Sequence, residues 1–310
     1  MSKLQNSIIQ GDCIEVLNSI DEPLADLIFA DPPFNIGYKY DKYYDRIKSK
    51  NYIAWTKAWM QACKKVLKPD GSFYIAIGDD YAANVKLIAD EMHLTMRNWI
   101  IWHYTFGQQT KNKFARSHTH IFYFVNDKNN FTFNDHAARI PSDRQLLYND
   151  KRANPKGKMP DDVWNQYSRV CGTFNERAQW HPCQMPESLL RRIIMASSNP
   201  KDTILDPFNG SGTTAAAAIQ LNRNYIAIDT SKQYVENTRK RLQKLKKLTT
   251  LQKQNIMLTQ LLIDMKLSSA EILSDKKLLT LFANQFKIRT NDDQPYDTEI
   301  IERRLKDLAI

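Results

Sequence analysis

Seven short apolar runs divide the first three-quarters of the chain: 6–12 (NSIIQGD), 25–31 (ADLIFAD), 71–79 (GSFYIAIGD), 98–105 (NWIIWHYT), 119–127 (THIFYFVND), 202–208 (DTILDPF) and 224–230 (NYIAIDT). Each is rich in Ile, Phe, Tyr or Val and is apolar nearly throughout. Strands covered on both faces of a parallel sheet read this way. Helical spacing lies between them. Residues 51–68 place Ile53, Trp55, Trp59, Ala62, Cys63, Val66 and Leu67 at helical intervals, with a stop expected at Pro69-Asp70-Gly71. Residues 186–199 open on a proline suited to a first turn and carry Leu189, Leu190, Ile193 and Ile194 on one stripe. Residues 212–222 form a third helical stretch. Strands alternating with helices predict an α/β, doubly wound, mostly parallel sheet. No helix fits between 98–105 and 119–127, so those two runs are expected to pair as a hairpin, giving one antiparallel strand.

The periodicity fades between about 131 and 180. Proline, asparagine and glycine punctuate that stretch, and Arg144, Lys151, Arg152, Lys156 and Lys158 crowd into it. It reads as a long functional insertion. Beyond 250 the pattern is helical, with a capping box at Ser268 and Glu271. The expected division is 1–250, comprising a first half to 130, the insertion and a second half from 181, followed by a helical C-terminal extension over 251–310.

The 310 residues are 42% apolar and 25% charged, enough for a packed core. A net charge of +10 favours a polyanionic partner such as nucleic acid. The four cysteines form no Cys-x-x-Cys pair, so a metal site is not expected and the thiols fit a reducing, cytoplasmic setting. No window approaches the ~18 apolar residues of a membrane span, and the start lacks the apolar run of a signal peptide.

Two motifs carry chemistry. The first is DPPF, Asp31 to Phe34, at the end of an expected strand. Asp31 offers an anionic acceptor, and Pro32 lacks an N–H and can present its carbonyl. Pro33 extends the rigid turn, and Phe34 offers a flat face. The second is the turn from Asp206 through Pro207, Phe208, Asn209, Gly210, Ser211 and Gly212 to Thr213, between a strand and an alanine-rich helix. Glycines there let a polar ligand approach backbone N–H groups. Asp229, at the next strand's tip, is placed to accept from ribose hydroxyls. The turn lacks the Gly-Lys-Ser/Thr of a phosphate loop, which favours S-adenosylmethionine over a triphosphate. A methyl donor across the strand tips from Asp31 gives DPPF a role: acceptors around an amine stabilise charge on its nitrogen during attack.

With DPPF early, DPFNGSGTT late and a basic stretch between, the sequence resembles the β-class DNA amino-methyltransferases, S-adenosylmethionine-dependent enzymes common in bacterial restriction–modification systems. The resemblance covers most of 4–245 and implies a Rossmann-like fold with circularly permuted motif order. It also implies duplex DNA as substrate and methylation of adenine N6 or cytosine N4. Asp rather than Ser before Pro-Pro favours adenine. By the same resemblance Asp12 lies near the cofactor, and His181 and Gln184, in HPCQMPESLLRRII, contact its methionine end, with Met185 where a lysine is common. The insertion is expected to read the target. Lys111, Lys113 and Arg116 resemble part of a loop beside the catalytic pocket that also includes Gly107, Gln108 and Gln109. A homodimer and a cognate restriction endonuclease are further partners the resemblance leaves open. Rival readings are a cytosine-N4 enzyme, an RNA or protein-glutamine methyltransferase, and a non-catalytic DNA-binding protein that keeps the fold.

Overall fold

The computed structural model describes residues 4–41, 44–105, 110–148, 150–172, 174–291 and 296–308. It divides into two compact units. The sheet unit comprises residues up to 132 and 162–247; the helical unit comprises 133–161 and 248–310. This differs from the expected division at 250. The insertion is split, and its first part belongs with the C-terminal helices, because contacts between segments distant in sequence leave no local signal.

The sheet has eight strands: β1 Ser7–Gln10, β2 Ala25–Ala30, β3 Leu67–Ile77, β4 Thr95–His103, β5 His118–Val125, β6 Val163–Trp164, β7 Thr203–Asp206 and β8 Asn224–Asp229. Their order is β1-β8-β7-β2-β3-β5-β4-β6. All seven expected strands form, and β6 is an added two-residue edge too short to show a pattern. Among the described strands only β5 runs antiparallel, pairing with both β3 and β4. The helices are α1 Cys13–Asn18, α2 Ser49–Val66, α3 Asp79–Glu91, α4 Asp135–Ala138, α5 Asp143–Leu146, α6 Glu187–Ser197, α7 Thr213–Gln220, α8 Lys232–Leu245, α9 Thr250–Met265, α10 Ser269–Ser274, α11 Lys276–Thr290 and α12 Thr298–Leu308.

Apolar patterning places the core of the sheet unit. Trp59, Cys63 and Val66 of α2 and Val85, Ile88 and Ala89 of α3 pack with Ile28, Phe73, Phe122 and Phe124 of the strands. α3 has no counterpart among the expected helices, although its buried residues recur at helical spacing. The expected stop at Pro69-Asp70-Gly71 is not a turn between elements. α2 ends at Val66 and the chain runs straight into β3. Proline disfavours helical backbone in the residue before it. The ladder absorbs the extra residues as a bulge, Ala25 pairing with Leu67 but Leu27 with Ser72.

β7 and β2 are neighbours inside the sheet, Leu27 opposite Ile204 and Ile28 opposite Leu205. From β7 the chain proceeds outward to β8, and from β2 outward to β3 in the other direction. Strand order therefore reverses between them, and the crevice beyond their carboxyl ends is where ligands bind in such sheets.

The helical unit has its own core. Leu258, Leu261 and Met265 of α9, Leu279, Phe282 and Phe286 of α11, and Ile301 and Leu305 of α12 are buried together. Ile140 and Leu146, from the former insertion, pack on them. No helix among the described residues is long and apolar enough to cross a membrane.

Candidate active site

The opening motif sits at the tip of β2. Asp31 is half-buried, and Pro32 and Pro33, lacking N–H groups, end the ladder. The Pro33 carbonyl accepts from the Tyr52 hydroxyl at 2.6 Å, so Pro32 is the proline whose carbonyl can face a ligand. Phe34 lies over Gly78, where an added Cβ would stand 3.3 Å from its ring. Asn35 follows in a left-handed conformation (φ 60°) that asparagine tolerates. Its amide donates to the Ile47 carbonyl (2.9 Å) and the Tyr81 hydroxyl (2.8 Å).

Asp45 organises this loop. It is 1% exposed and accepts from the backbone N–H groups of Asn35 (2.7 Å), Ile36 (3.2 Å) and Tyr38 (2.9 Å). No sequence signal marks it. Asp45→Ala would leave three N–H groups without their acceptor, at ~1–3 kcal/mol each if they stay buried. We expect methyl transfer to fall by roughly 10- to 100-fold, on the scale of one to two such losses. Cofactor affinity should stay near wild type, and single-turnover kinetics with calorimetry will separate the two.

The glycine turn joins β7 to α7. Gly210 and Gly212 have φ of 50° and 79°, where L-residues with a Cβ are strained. The Gly210 N–H donates to Asp229 (2.8 Å), and Asp229 also accepts from the Ser231 N–H (2.8 Å). What crowds the glycines is protein rather than ligand alone. A Cβ on Gly210 would lie 2.8 Å from His181 Nε2, and one on Gly212 would lie 2.4 Å from Thr238 Cγ2. The Asn209 amide donates to Thr238 (3.0 Å), while its buried Oδ1 has no hydrogen-bond partner among the described residues.

Both motifs line one cavity of about 740 Å³, within the range of small-molecule sites. Its wall includes Asp31 to Phe34, Asp12, His181, Gln184, Asp206 to Ser211, Thr213 and Asp229. Gly212 does not line it; Thr238 packs where its side chain would be. Several of the others also hold the site together. Asp12 caps α1, accepting from the N–H groups of Ile14 and Glu15. Phe208 packs on Trp55 and edge-on against Trp59. The Gln184 amide accepts from the Ala178 N–H (2.7 Å) and donates to the Glu176 carbonyl (2.8 Å). His181 packs on Tyr234, with its pKa pushed down to about 4 chiefly by burial.

The strand tips concentrate negative charge. Burial, then the nearby Asp206, pushes the Asp31 pKa up to about 7. Burial also raises Asp206 to about 7, against bonds from Thr214 and the Phe208 N–H. Asp229 rises to about 6, mainly by burial, against its two backbone donors. Residues unmarked by any motif complete the wall, among them Tyr38, Tyr40, Trp102, Tyr104 and Arg169. The four aromatic ones had a signal in the local density of aromatic residues; Arg169 had none. The Arg169 guanidinium lies over the Tyr104 ring.

The eight basic residues expected at DNA fall in both units. Lys111 and Lys113 are exposed. Arg116 pairs with Asp79 (2.8 Å) and Asp80 (3.3 Å) at the start of α3, which offsets its charge. In the helical unit Arg144, Lys151 and Lys156 are exposed, Arg152 pairs with Asp150, and Lys158 with Asp143. Gly107, Gln108 and Gln109 lie outside the described residues. His118 and His120 stack edge-to-face, and His120 accepts from the Trp99 indole. No metal-holding cluster occurs among the described residues.

Comparison with known proteins places this geometry. The family described as DNA methylase, of N6/N4 type, matches residues 25–240. Type II methyltransferase M.HpaI of Haemophilus parainfluenzae is 35% identical, over 77% of this chain and 74% of that protein. DNA adenine methyltransferase YhdJ of Escherichia coli K12 is 38% identical, over 76% of this chain and 82% of that protein. Among solved structures, the M1.HpyAVI–SAM complex superposes with a TM-score of 0.54 at 21% identity, covering 76% of this chain and 98% of that one. The cytosine-N4-specific PvuII DNA methyltransferase gives 0.59 at 20% identity, covering 84% and 93%. Matched across most of its sheet unit and across most of the length of its relatives, the chain belongs to the N6/N4 family of DNA methylases.

Proposed function

We propose that the chain transfers a methyl group from S-adenosylmethionine to the N6 amine of adenine in duplex DNA, at a specific sequence. The observation that carries this is the convergence of Asp31 to Phe34 and the Gly210 turn with Asp229 on one cavity. Bound there, the cofactor supplies an electrophilic methyl on a sulfonium. The chain's residues do the rest. Asp229 and the orphaned Asn209 Oδ1 accept from the nucleoside, and the glycine turn keeps the backbone close to it. The Asp31 carboxylate and the Pro32 carbonyl accept from the target amine, turning its lone pair towards the methyl carbon. The N–C bond forms as the S–C bond breaks, and Asp31 or solvent takes the proton the nitrogen sheds. Phe34 stacks on the base, which must leave the helix because its amine is otherwise paired.

Adenine is favoured by Asp31 and by the printed activity of the YhdJ relative. The type II names of M.HpaI and M.BglII support a restriction–modification setting in the bacterial cytoplasm, with a cognate endonuclease. The test is direct. Purified protein is incubated with cofactor and genomic DNA from a methylation-free host, and the DNA is digested to nucleosides for mass spectrometry. N6-methyladenine is expected. N4-methylcytosine would overturn the base assignment, and an unmodified digest the function.

A further inference from the structure

The chain beyond 248 carries no motif, yet it encloses a segment that does carry charge. The Arg139 carbonyl accepts from Gln285 Nε2 (3.1 Å) and Arg289 Nη2 (3.3 Å). Arg289 is fully buried against Asp264 at 2.6 Å. Ile140 and Lys158 bridge each other's backbone (3.1 and 2.7 Å). Gly157 has φ 84°, and a Cβ there would meet the Ile140 carbonyl oxygen at 2.3 Å. The stretch between Ile140 and Lys158 is therefore pinned at both ends on the same place in the helical unit. Inside it, the capping box of Ser142 and Gln145 fixes α5. At its outer part Leu147 and Tyr148 are 74% and 75% exposed, with Arg144, Lys151 and Lys156 exposed in the same segment.

Large apolar side chains held in water beside cations fit a polyanion with an apolar interior. Duplex DNA is such a partner, and proteins that distort it insert apolar wedges between base steps while cations hold the phosphates. We infer that the C-terminal helices are the scaffold of a DNA-inserting loop, in which Leu147 and Tyr148 enter the duplex and Arg144, Lys151 and Lys156 bind its backbone. Gln285 and Arg289 are positioning residues for it. The inference rests on the proposed action on duplex DNA.

The full chain is titrated with duplex DNA over a salt series, using fluorescence anisotropy. For the pair Leu147→Ala with Tyr148→Ala, both exposed and so without expected cost to folding, affinity should fall at least ~10-fold with an unchanged salt slope, since no phosphate contact is lost. Lys151→Gln should weaken binding and reduce the slope by about one. Gln285→Met, buried away from the tip, should weaken duplex binding at least ~3-fold through the loop's position while cofactor affinity stays constant. Unchanged affinity in the Leu147 and Tyr148 double variant, with wild type binding and methylating DNA, overturns the inference and leaves the function standing. Unchanged duplex affinity in Gln285→Met removes the scaffold role. Failure of the wild type to bind any duplex overturns the function itself.

Discussion

Asp31→Ala should lower the rate of methyl transfer by at least ~100-fold and leave cofactor affinity within a few-fold of wild type, as expected for loss of a preorganised electrostatic partner in a dry site. The carboxylate acts on charge that develops only as the amine attacks, so the loss belongs in kcat. The pH profile gives a second reading of the same group. The acceptor is the ionised form, and Asp31 is raised to about 7. The pH dependence of kcat/KM, which reports groups of the unliganded protein, should therefore climb through about 7 and then level. Because the Asp206 charge contributes to that rise, Asp206→Asn should move the inflection to lower pH. An inflection that stays in place would show that Asp31 does not govern the profile. The same shift affects stability. A carboxyl whose folded pKa exceeds its unfolded value costs the folded state stability as pH rises between the two. The unliganded protein should accordingly gain stability from this group on acidification from 7 towards 4, as melting curves across that range would show.

Gly210→Val should remove cofactor binding. A Cβ would stand 2.8 Å from His181 Nε2, and the backbone sits at φ 50°. Holding a β-branched residue there costs ~1–3 kcal/mol in backbone strain, and displacing the histidine costs ~1–3 kcal/mol in overpacking. If the turn instead relaxes, the Gly210 N–H leaves Asp229 and the wall deforms. Either path predicts at least ~30-fold weaker cofactor binding by calorimetry. Adding His181→Ala should recover part of the loss, the part due to crowding, but not the part due to backbone strain. A double variant no better than the single one would assign the whole effect to the backbone. A single variant with wild-type affinity would contradict the cavity as the cofactor site.

The fold was legible wherever burial is two-sided. The runs at 25–31, 71–79 and 224–230 are apolar because helices cover the sheet on both faces, and each became a strand. The site's two motifs were legible because strand tips demand particular residues, prolines to end a ladder and glycines to turn. What stayed hidden came from pairings with no local pattern. Asp45 is an aspartate in an unremarkable loop until three N–H groups converge on it. Arg169 reaches the cavity from a stretch without periodicity. The membership of 133–161 in the helical unit depends on Gln285 and Arg289 meeting one carbonyl more than a hundred residues earlier. Composition marked the basic residues of that stretch, but not the helices that hold them.

The adjacency of β2 and β7 has a consequence during synthesis. Asp26 accepts from the Thr203 N–H, a partner 177 residues downstream. At elongation rates of ~5–20 residues per second, β2 leaves the ribosome roughly 10–35 s before β7 exists. Until then one edge of an apolar strand is open, and such edges recruit other strands. The crevice between the two is thus among the last features of the sheet unit to form. Messages or nonsense alleles that stop before residue 203 should yield insoluble material rather than a half-active enzyme.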